Sequence, residues 1–260
     1  MTQKALRYYE RLGVLTPVRG ENGYREYREA DARVVEVVRS LGRLGIPVQQ
    51  TRPRRCAPRP NDKRRGQSVV TDYMSLPSDL PVPEDDGAAD HLAGLAMPPI
   101  TLPGTAGSRV ALDDLGPGRT VLYIYPLSGR PGVDLPDGWD AIPGARGCTP
   151  EACGFRDHHA ELRAAGAAAV FGLSSQSTDY QSELGERLDL PFEILSDPDL
   201  EVADALRLPT FTADDRRLYK RLTLVVTDGR IEHAFYPIFP PDQHAAEVLQ
   251  WLRDHAGGQA

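Results

Sequence analysis

From about residue 98 to residue 257, the chain alternates strand-like segments with helix-like segments. Runs rich in β-branched and aromatic residues predict strands, and the stretches between them carry helical patterns or helix-start signals. We expect strands at 120–125, 168–173, 222–226 and 231–236, and helices at 149–165, 179–188, 202–206 and 243–251. The Asp228-Gly229 pair between the last two strands favours a hairpin. This order predicts an α/β sandwich with a mixed central sheet.

Charge divides the chain into unlike parts. Residues 1–68 contain 16 Lys and Arg against 7 Asp and Glu, although the whole chain has a net charge of −7, and this asymmetry indicates parts with different partners. Residues 51–97 are Arg- and Pro-rich and then acidic, so we interpret them as a disordered linker between a segment at 1–50 and a domain at 98–257. No apolar run approaches the ~18–20 residues of a membrane span, and Met1 opens no secretion signal. We therefore expect a cytoplasmic protein without a membrane partner.

Cys148 lies at a predicted helix start. The following Thr149-Pro150-Glu151 combines a polar residue, a proline in the first turn and an acid beside the positive end of the helix dipole. Unpaired backbone N–H groups at such an end favour an anion, which predicts a lowered pKa for the Cys148 thiol and nucleophilic behaviour near neutral pH.

Cys153 follows Cys148 after five residues. In an unbroken helix the two Cα atoms would lie roughly 8–9 Å apart, whereas a disulfide usually needs ~4.4–6.8 Å. The pair could therefore bond only if the first turns of the helix unwind, which suits a catalyst that opens during turnover. The alternatives are a metal site with His158 and His159 and a pair of packing thiols. We interpret Cys56, in the predicted linker, as a bystander thiol.

The residues around the two cysteines match a known signature. The segment Gly-Cys-Thr-Pro-Glu-Ala-Cys-Gly-Phe-Arg-Asp at 147–157 resembles the active site of peroxiredoxins, in particular the bacterioferritin-comigratory-protein type, whose resolving cysteine also follows five residues after the peroxidatic one. The resemblance covers residues 98–256 and includes the motifs at 125–126, 195–198 and 220–225. It implies a thioredoxin-like fold and a thioredoxin-dependent peroxidase that needs no metal or organic cofactor.

The resemblance also implies roles for single residues. Cys148 resembles the peroxidatic nucleophile and Cys153 the resolving thiol. Arg221 matches the arginine that stabilises the thiolate and polarises the peroxide, and Glu151 the acid that orients that arginine. Without the motif, Arg221 would be a solvated charge at a strand edge and Glu151 a partner of the helix dipole. The implied reaction passes from a hydroperoxide through a cysteine sulfenic acid to a Cys148–Cys153 disulfide, which thioredoxin or a similar dithiol reduces.

One position departs from the family pattern. The family normally carries a threonine three residues before the nucleophile, but position 145 of this chain is alanine. A long loop, 127–147, precedes Cys148. We expect either the hydroxyl of Ser128 or a backbone N–H to replace the threonine hydroxyl.

The basic N-terminal segment carries a second resemblance. Its motifs at 5–15, 22–27 and 30–31 are similar to the winged helix-turn-helix of MerR-type regulators, over residues 2–50. In that family the matching positions contact DNA, and here they are Arg7, Tyr8, Arg19, Tyr24 and Arg25. The family's first helix and its long dimerising helix have no counterpart in this chain, so the segment is an incomplete winged helix and we do not expect DNA to be the main partner.

Two hypotheses follow from these resemblances. The first is a thiol peroxidase that acts on hydrogen peroxide and organic hydroperoxides and carries a vestigial N-terminal segment. The second is a redox-sensing, MerR-like DNA-binding regulator that uses the peroxiredoxin part as its sensor. The missing helices favour the first.

Overall fold

The structure, a computed structural model, describes residues 76, 77 and 79–256 and the backbone of two short strands near the N-terminus. The chain divides into two compact units, Met1–Arg55 and Cys56–Ala260. Among the described residues, no helix is long and apolar enough to cross a membrane.

In the first unit the described backbone is a small antiparallel ladder. Strand β1 (Val18–Arg19) pairs with β2 (Arg25–Glu26), with Arg19 opposite Arg25. The pairing agrees with the turn predicted by Asn22-Gly23, because such a dipeptide joins two antiparallel strands. The predicted flanking helices, and three of the predicted DNA-contacting residues, lie outside the described residues: Arg7, Tyr8 and Tyr24.

The second unit is built on a mixed five-stranded sheet. Its strand order is β11-β10-β5-β6-β7. Strands β5, β6 and β7 run parallel, whereas β10 is antiparallel to both β5 and β11. These strands are β5 (Arg119–Ile124), β6 (Ala167–Ser174), β7 (Ile194–Ser196), β10 (Leu222–Thr227) and β11 (Arg230–Phe235). The predicted mixed sheet is confirmed, and every residue of β5 is buried because the sheet is covered on both faces.

The helices agree with the sequence prediction, except that one predicted helix is divided into two. The predicted helix at 149–165 is two helices, α1 (Cys148–Asp157) and α2 (His159–Ala164), which meet at His158. The others are α3 (Thr178–Leu188), α4 (Glu201–Leu206) and α5 (His244–Asp254). Helices α1, α3 and α5 contribute buried residues to one hydrophobic cluster with β5, and α4 contributes to another with β10.

The Asp228-Gly229 hairpin is confirmed. The two residues have φ values of 50° and 70°, and positive φ at both central positions is the feature of a type I′ turn. Two further hairpins lie outside the main sheet and escaped sequence analysis, because their strands are short and only partly buried. They are β3 (Thr101–Pro103) with β4 (Arg109–Ala111), and β8 (Thr210–Ala213) with β9 (Arg216–Tyr219).

The end of the predicted linker differs from the sequence interpretation. Leu92 is fully buried and Met97 nearly so, and both belong to the hydrophobic cluster that includes β10. Ala96 forms an isolated antiparallel bridge with Arg230. The ring of His91 hydrogen bonds to the carbonyl of Leu206 at 2.9 Å. These few apolar residues show no helical or strand periodicity, so only their tertiary contacts place them in the domain.

Candidate active site

Cys148 is the first residue of α1, as the sequence predicted. Gly147 precedes the helix with φ 106°, a conformation that glycine adopts without steric cost. A Cβ at that position would lie 2.3 Å from Cγ of Pro241, so the chain also needs glycine there for close packing. Glu151 N–H donates to the carbonyl of Gly147 at 3.0 Å and closes the first turn. This geometry fixes the Cys148 side chain, which is 3% exposed.

Arg221 reaches the sulfur of Cys148 from the sheet. It immediately precedes β10, whose first residue, Leu222, pairs with Ile124. Its Nη2 atom lies 3.2 Å from Cys148 Sγ and also donates to the carbonyl oxygens of Ala145 at 3.3 Å and Arg146 at 3.2 Å. Because carbonyls of the loop hold the guanidinium on one side, its charge is fixed beside the sulfur.

Glu151 forms a buried ion pair with Arg221 through its Oε2 atom and the Nη1 atom of the arginine. The two side chains are 0% and 1% exposed. Burial raises the pKa of the Glu151 carboxyl, while Arg221 and His244 oppose the rise. The Oε1 atom of Glu151 has no hydrogen-bond partner among the described residues. Both side chains are therefore buried, and Arg221 is not a solvated charge at a strand edge. Glu151 lies in the first turn of α1, so it is also beside the positive end of the helix dipole.

The expected lowering of the Cys148 pKa is not found in this conformation. Burial raises the pKa of the thiol and the charge of Glu151 adds to the rise, whereas Arg221 and the backbone N–H of Leu127 lower it without cancelling the effect. The thiol also points to the carbonyl of Ala145, at 3.6 Å. A position at a helix start does not by itself lower the pKa of the thiol. The free-energy cost of burying a thiolate can exceed its stabilisation by nearby positive groups.

Cys153 lies on α1, the same helix as Cys148, as the sequence predicted. Helix α1 is continuous from Cys148 to Asp157, and Cys153 is 4% exposed on its buried side. Cys148 is a free thiol in this structure. A bond between Cys148 and Cys153 would therefore belong to another redox state of the protein. No group of three or more potential metal ligands occurs in the part of the chain that the structure describes.

The hydroxyl and the N–H of Ser128 both contact a glutamine and not the Cys148 sulfur. Its hydroxyl donates to Oε1 of Gln176 at 3.0 Å, and its N–H donates to the same oxygen at 2.8 Å. The group next to Cys148 from this loop is the N–H of Leu127. The sequence offered two replacements for the missing threonine. The Ser128 hydroxyl is engaged by Gln176, whereas the backbone N–H of Leu127 lowers the pKa of the Cys148 thiol.

A buried polar network beside the site escaped sequence analysis. Gln176 also donates to the carbonyl of Ser128, at 3.2 Å, and Gln181 donates to the carbonyl of Gln176 and accepts from the Tyr125 hydroxyl, both at 2.9 Å. These bonds tie α3 to the end of β5 and to the loop that carries Leu127. No spacing in the sequence indicates the network, because its members come from three separate segments.

The C-terminal part of the chain matches a family model and is similar to known enzymes. The family model for Redoxin matches residues 92–249. Peroxiredoxin Bcp of Escherichia coli K12 is 32% identical over 168 residues, which span 63% of this chain and 97% of that protein. The chloroplastic peroxiredoxin Q of rice, Oryza sativa subsp. japonica, is 27% identical over 210 residues, 78% of this chain and 87% of that protein.

A solved structure supports the fold, and a second family model matches the N-terminal part. The crystal structure of the peroxidoxin BcpB from Mycobacterium tuberculosis is 27% identical and aligns with a TM-score of 0.51 over 63% of this chain and 98% of that one. Residues 1–52 match the model for the MerR HTH family of regulatory proteins. Both predicted resemblances are thus confirmed at the level of family.

Proposed function

The chain belongs to the redoxin family, within which its relatives are peroxiredoxins, and from this premise we propose that it reduces hydroperoxides at Cys148. Membership of this group makes it a thiol peroxidase; the residues and steps below are our proposal. The observation that carries the proposal is the contact of 3.2 Å between Arg221 and the Cys148 sulfur. A fixed positive charge there favours the thiolate and can also bind the oxygen atoms of a peroxide.

In the first step the Cys148 thiolate attacks the terminal oxygen of the peroxide. The O–O bond breaks, its electron pair leaves on the other oxygen, and that oxygen takes a proton to become an alcohol or water. The sulfur is oxidised to a sulfenic acid while the peroxide is reduced. Arg221 and the N–H of Leu127 both lie beside the sulfur, so they are positioned to stabilise the negative charge.

In the second step Cys153 condenses with the sulfenic acid. Its thiolate attacks the Cys148 sulfur, hydroxide leaves and is protonated to water, and a disulfide forms. Because both cysteines lie on one continuous helix, the first turns of α1 must unwind for the sulfurs to meet. An external dithiol, for which thioredoxin is the proposed example, then reduces the disulfide by thiol exchange.

Serine substitutions test the assignment of the two cysteines. In a Cys56→Ser background, which leaves two cysteines, reduced protein is mixed with hydrogen peroxide and the sulfur products are measured by mass spectrometry. We expect Cys148→Ser to consume no peroxide and Cys153→Ser to complete one turnover and accumulate sulfenic acid. Equal residual activity in both variants would refute the mechanism.

The regulator hypothesis is not favoured. The match of residues 1–52 to the MerR family leaves DNA as a partner class, and the peroxiredoxin relatives cover the part of the chain that holds Cys148. A DNA-binding role for the described ladder residues Arg19 and Arg25 stays a prediction, as does a cytoplasmic location.

A further inference from the structure

Residues 79–87, which we call the strap, run beside the loop that leads to Cys148. They precede the region that matches the redoxin family, residues 92–249. A Cβ added at Gly144 would lie 3.6 Å from Pro83, and residues of both segments line one pocket, so the strap runs close to that loop. The strap thus adds surface at the active site from outside the matched family region.

Asp86 anchors the end of the strap to the residue before the catalytic arginine. Its Oδ2 atom accepts from Nζ of Lys220 at 2.6 Å, and its Oδ1 atom accepts from the hydroxyl of Tyr236 at 2.8 Å. Lys220 also donates to the Tyr236 hydroxyl at 3.2 Å. Since Lys220 adjoins Arg221, this triad ties the strap to the segment just before β10 that carries the Arg221 guanidinium.

The strap forms one wall of a pocket that ends at Arg221. The pocket has a volume of about 440 Å³, within the range of about 300–1,000 Å³ that is typical of small-molecule sites. Val82 and Pro83 line it from the strap, and its facing apolar residues are Ile142, Phe211 and Ile238. Because Arg221 lines the pocket and also contacts Cys148, the pocket lies beside the residues that surround the sulfur.

We propose that the strap is a specificity-determining element, and that Val82 and Pro83 bind the organic group of apolar, uncharged hydroperoxides. The inference rests on the proposed function at Cys148. Hydrogen peroxide is too small to contact this wall, whereas an aryl or alkyl group would remove apolar surface from water there. Lys220 is paired with Asp86 and Arg221 with Glu151, which leaves the carboxylate of Glu84 at the pocket, so a carboxylate on the substrate would meet net negative charge.

A second pocket near the site is an alternative place for the organic group, and one of its residues provides a control substitution. It has a volume of about 490 Å³ and lies on the side of Leu127 and Gln176. Val133 lines it and is 46% exposed, whereas Val82 is 63% exposed. Because both valines are exposed, replacement of either by serine should leave the fold intact.

The test compares Val82→Ser with Val133→Ser in the full chain. Cumene hydroperoxide and hydrogen peroxide are the probes, dithiothreitol is the reductant, and the readout is the ratio of kcat/KM for the two peroxides. One buried methyl group corresponds to roughly a fourfold change in binding. We therefore expect Val82→Ser to lower the cumene-to-hydrogen-peroxide ratio about four- to tenfold, mainly through KM, and Val133→Ser to leave the ratio unchanged.

Two results would overturn the proposal. A ratio within twofold of the original protein for Val82→Ser would show that the strap does not select substrates. A larger fall of the ratio for Val133→Ser than for Val82→Ser would assign the organic group to the second pocket. Absence of peroxide consumption by the original protein, with either probe, would instead refute the proposed function itself.

Discussion

Replacement of Arg221 by lysine should raise the pKa of the Cys148 thiol and slow the reaction with peroxide. The guanidinium divides its Nη1 and Nη2 atoms between Glu151 and the Cys148 sulfur. A single ammonium on a shorter side chain keeps the charge but cannot occupy both positions. The substitution therefore tests geometry while it preserves net charge.

The expected size follows from the distance between the two groups. At 3.2 Å and an effective dielectric constant of about 20, the attraction between Nη2 and the thiolate is about 5 kcal/mol. A lysine ammonium about 2 Å farther away would retain about 3 kcal/mol. The difference of about 2 kcal/mol corresponds to a rise of about 1.5 in the thiol pKa. Loss of the hydrogen bond in the transition state adds to this, so the second-order rate at pH 7 should fall roughly 10²–10³-fold.

Stopped-flow measurement of the rate with hydrogen peroxide between pH 6 and pH 10 gives the rate at pH 7 and the dependence of the rate on ionisation of the Cys148 thiol. Because burial already raises the pKa of the Cys148 thiol, the rate of the original protein should increase with pH, and the inflection of Arg221→Lys should lie higher still. Arg119→Lys is the matched control: this arginine is also buried and paired with a glutamate, Glu232, at 2.6 Å, but it has no contact with Cys148 among its hydrogen bonds. An unchanged inflection and a rate within twofold for Arg221→Lys, in a folded protein, would refute the reasoning.

Two further predictions concern stability. Lys220 and Tyr236 lower the pKa of Asp86 from 3.8 to about 2, so Asp86 stabilises the folded state above about pH 4 and this contribution is lost as pH falls towards 2. We expect Asp86→Asn to weaken the fall in the free energy of unfolding at acid pH, measured with urea. The change should be under ~1 kcal/mol because the carboxyl is partly exposed. A pH profile identical to that of the original protein would contradict this role of Asp86. Leu92→Ala should lower the free energy of unfolding by about 2–5 kcal/mol because it removes a fully buried side chain. The exposed Leu95→Ala should cost well under ~1 kcal/mol, and equal effects of the two substitutions would place Leu92 outside the core.

The local elements and the cysteine motif could be predicted from the sequence. The sequence pattern indicated four of the five strands of the main sheet, and the helices, to within a few residues. It missed the three-residue strand β7 and did not indicate the division at His158. Asp228-Gly229 predicted its turn because both residues tolerate positive φ. Such signals depend on neighbours along the chain, so they do not require the tertiary structure.

The relation between charge and the catalytic thiol required the structure. Arg221 and Cys148 are separated by 73 positions, and only the docking of β10 beside β5 brings the guanidinium to the start of α1. The sequence predicted a helix end that lowers the thiol pKa, but it contained no measure of how completely the fold would exclude water there. Desolvation therefore reverses the expected direction in this conformation.

The N-terminal boundary of the domain also could not be predicted from the sequence. Proline and acidic residues before position 92 gave no periodic pattern, and a linker was the natural interpretation. In the structure the strap is held by the bonds of Asp86 to Lys220 and Tyr236, and Leu92 fills the core. The sequence by itself determined which chemistry the chain carries, because reactive residue types and helix-start signals are local. The tertiary structure decided which charges, walls and backbone groups surround the sulfur, because those contacts join segments that are distant along the chain.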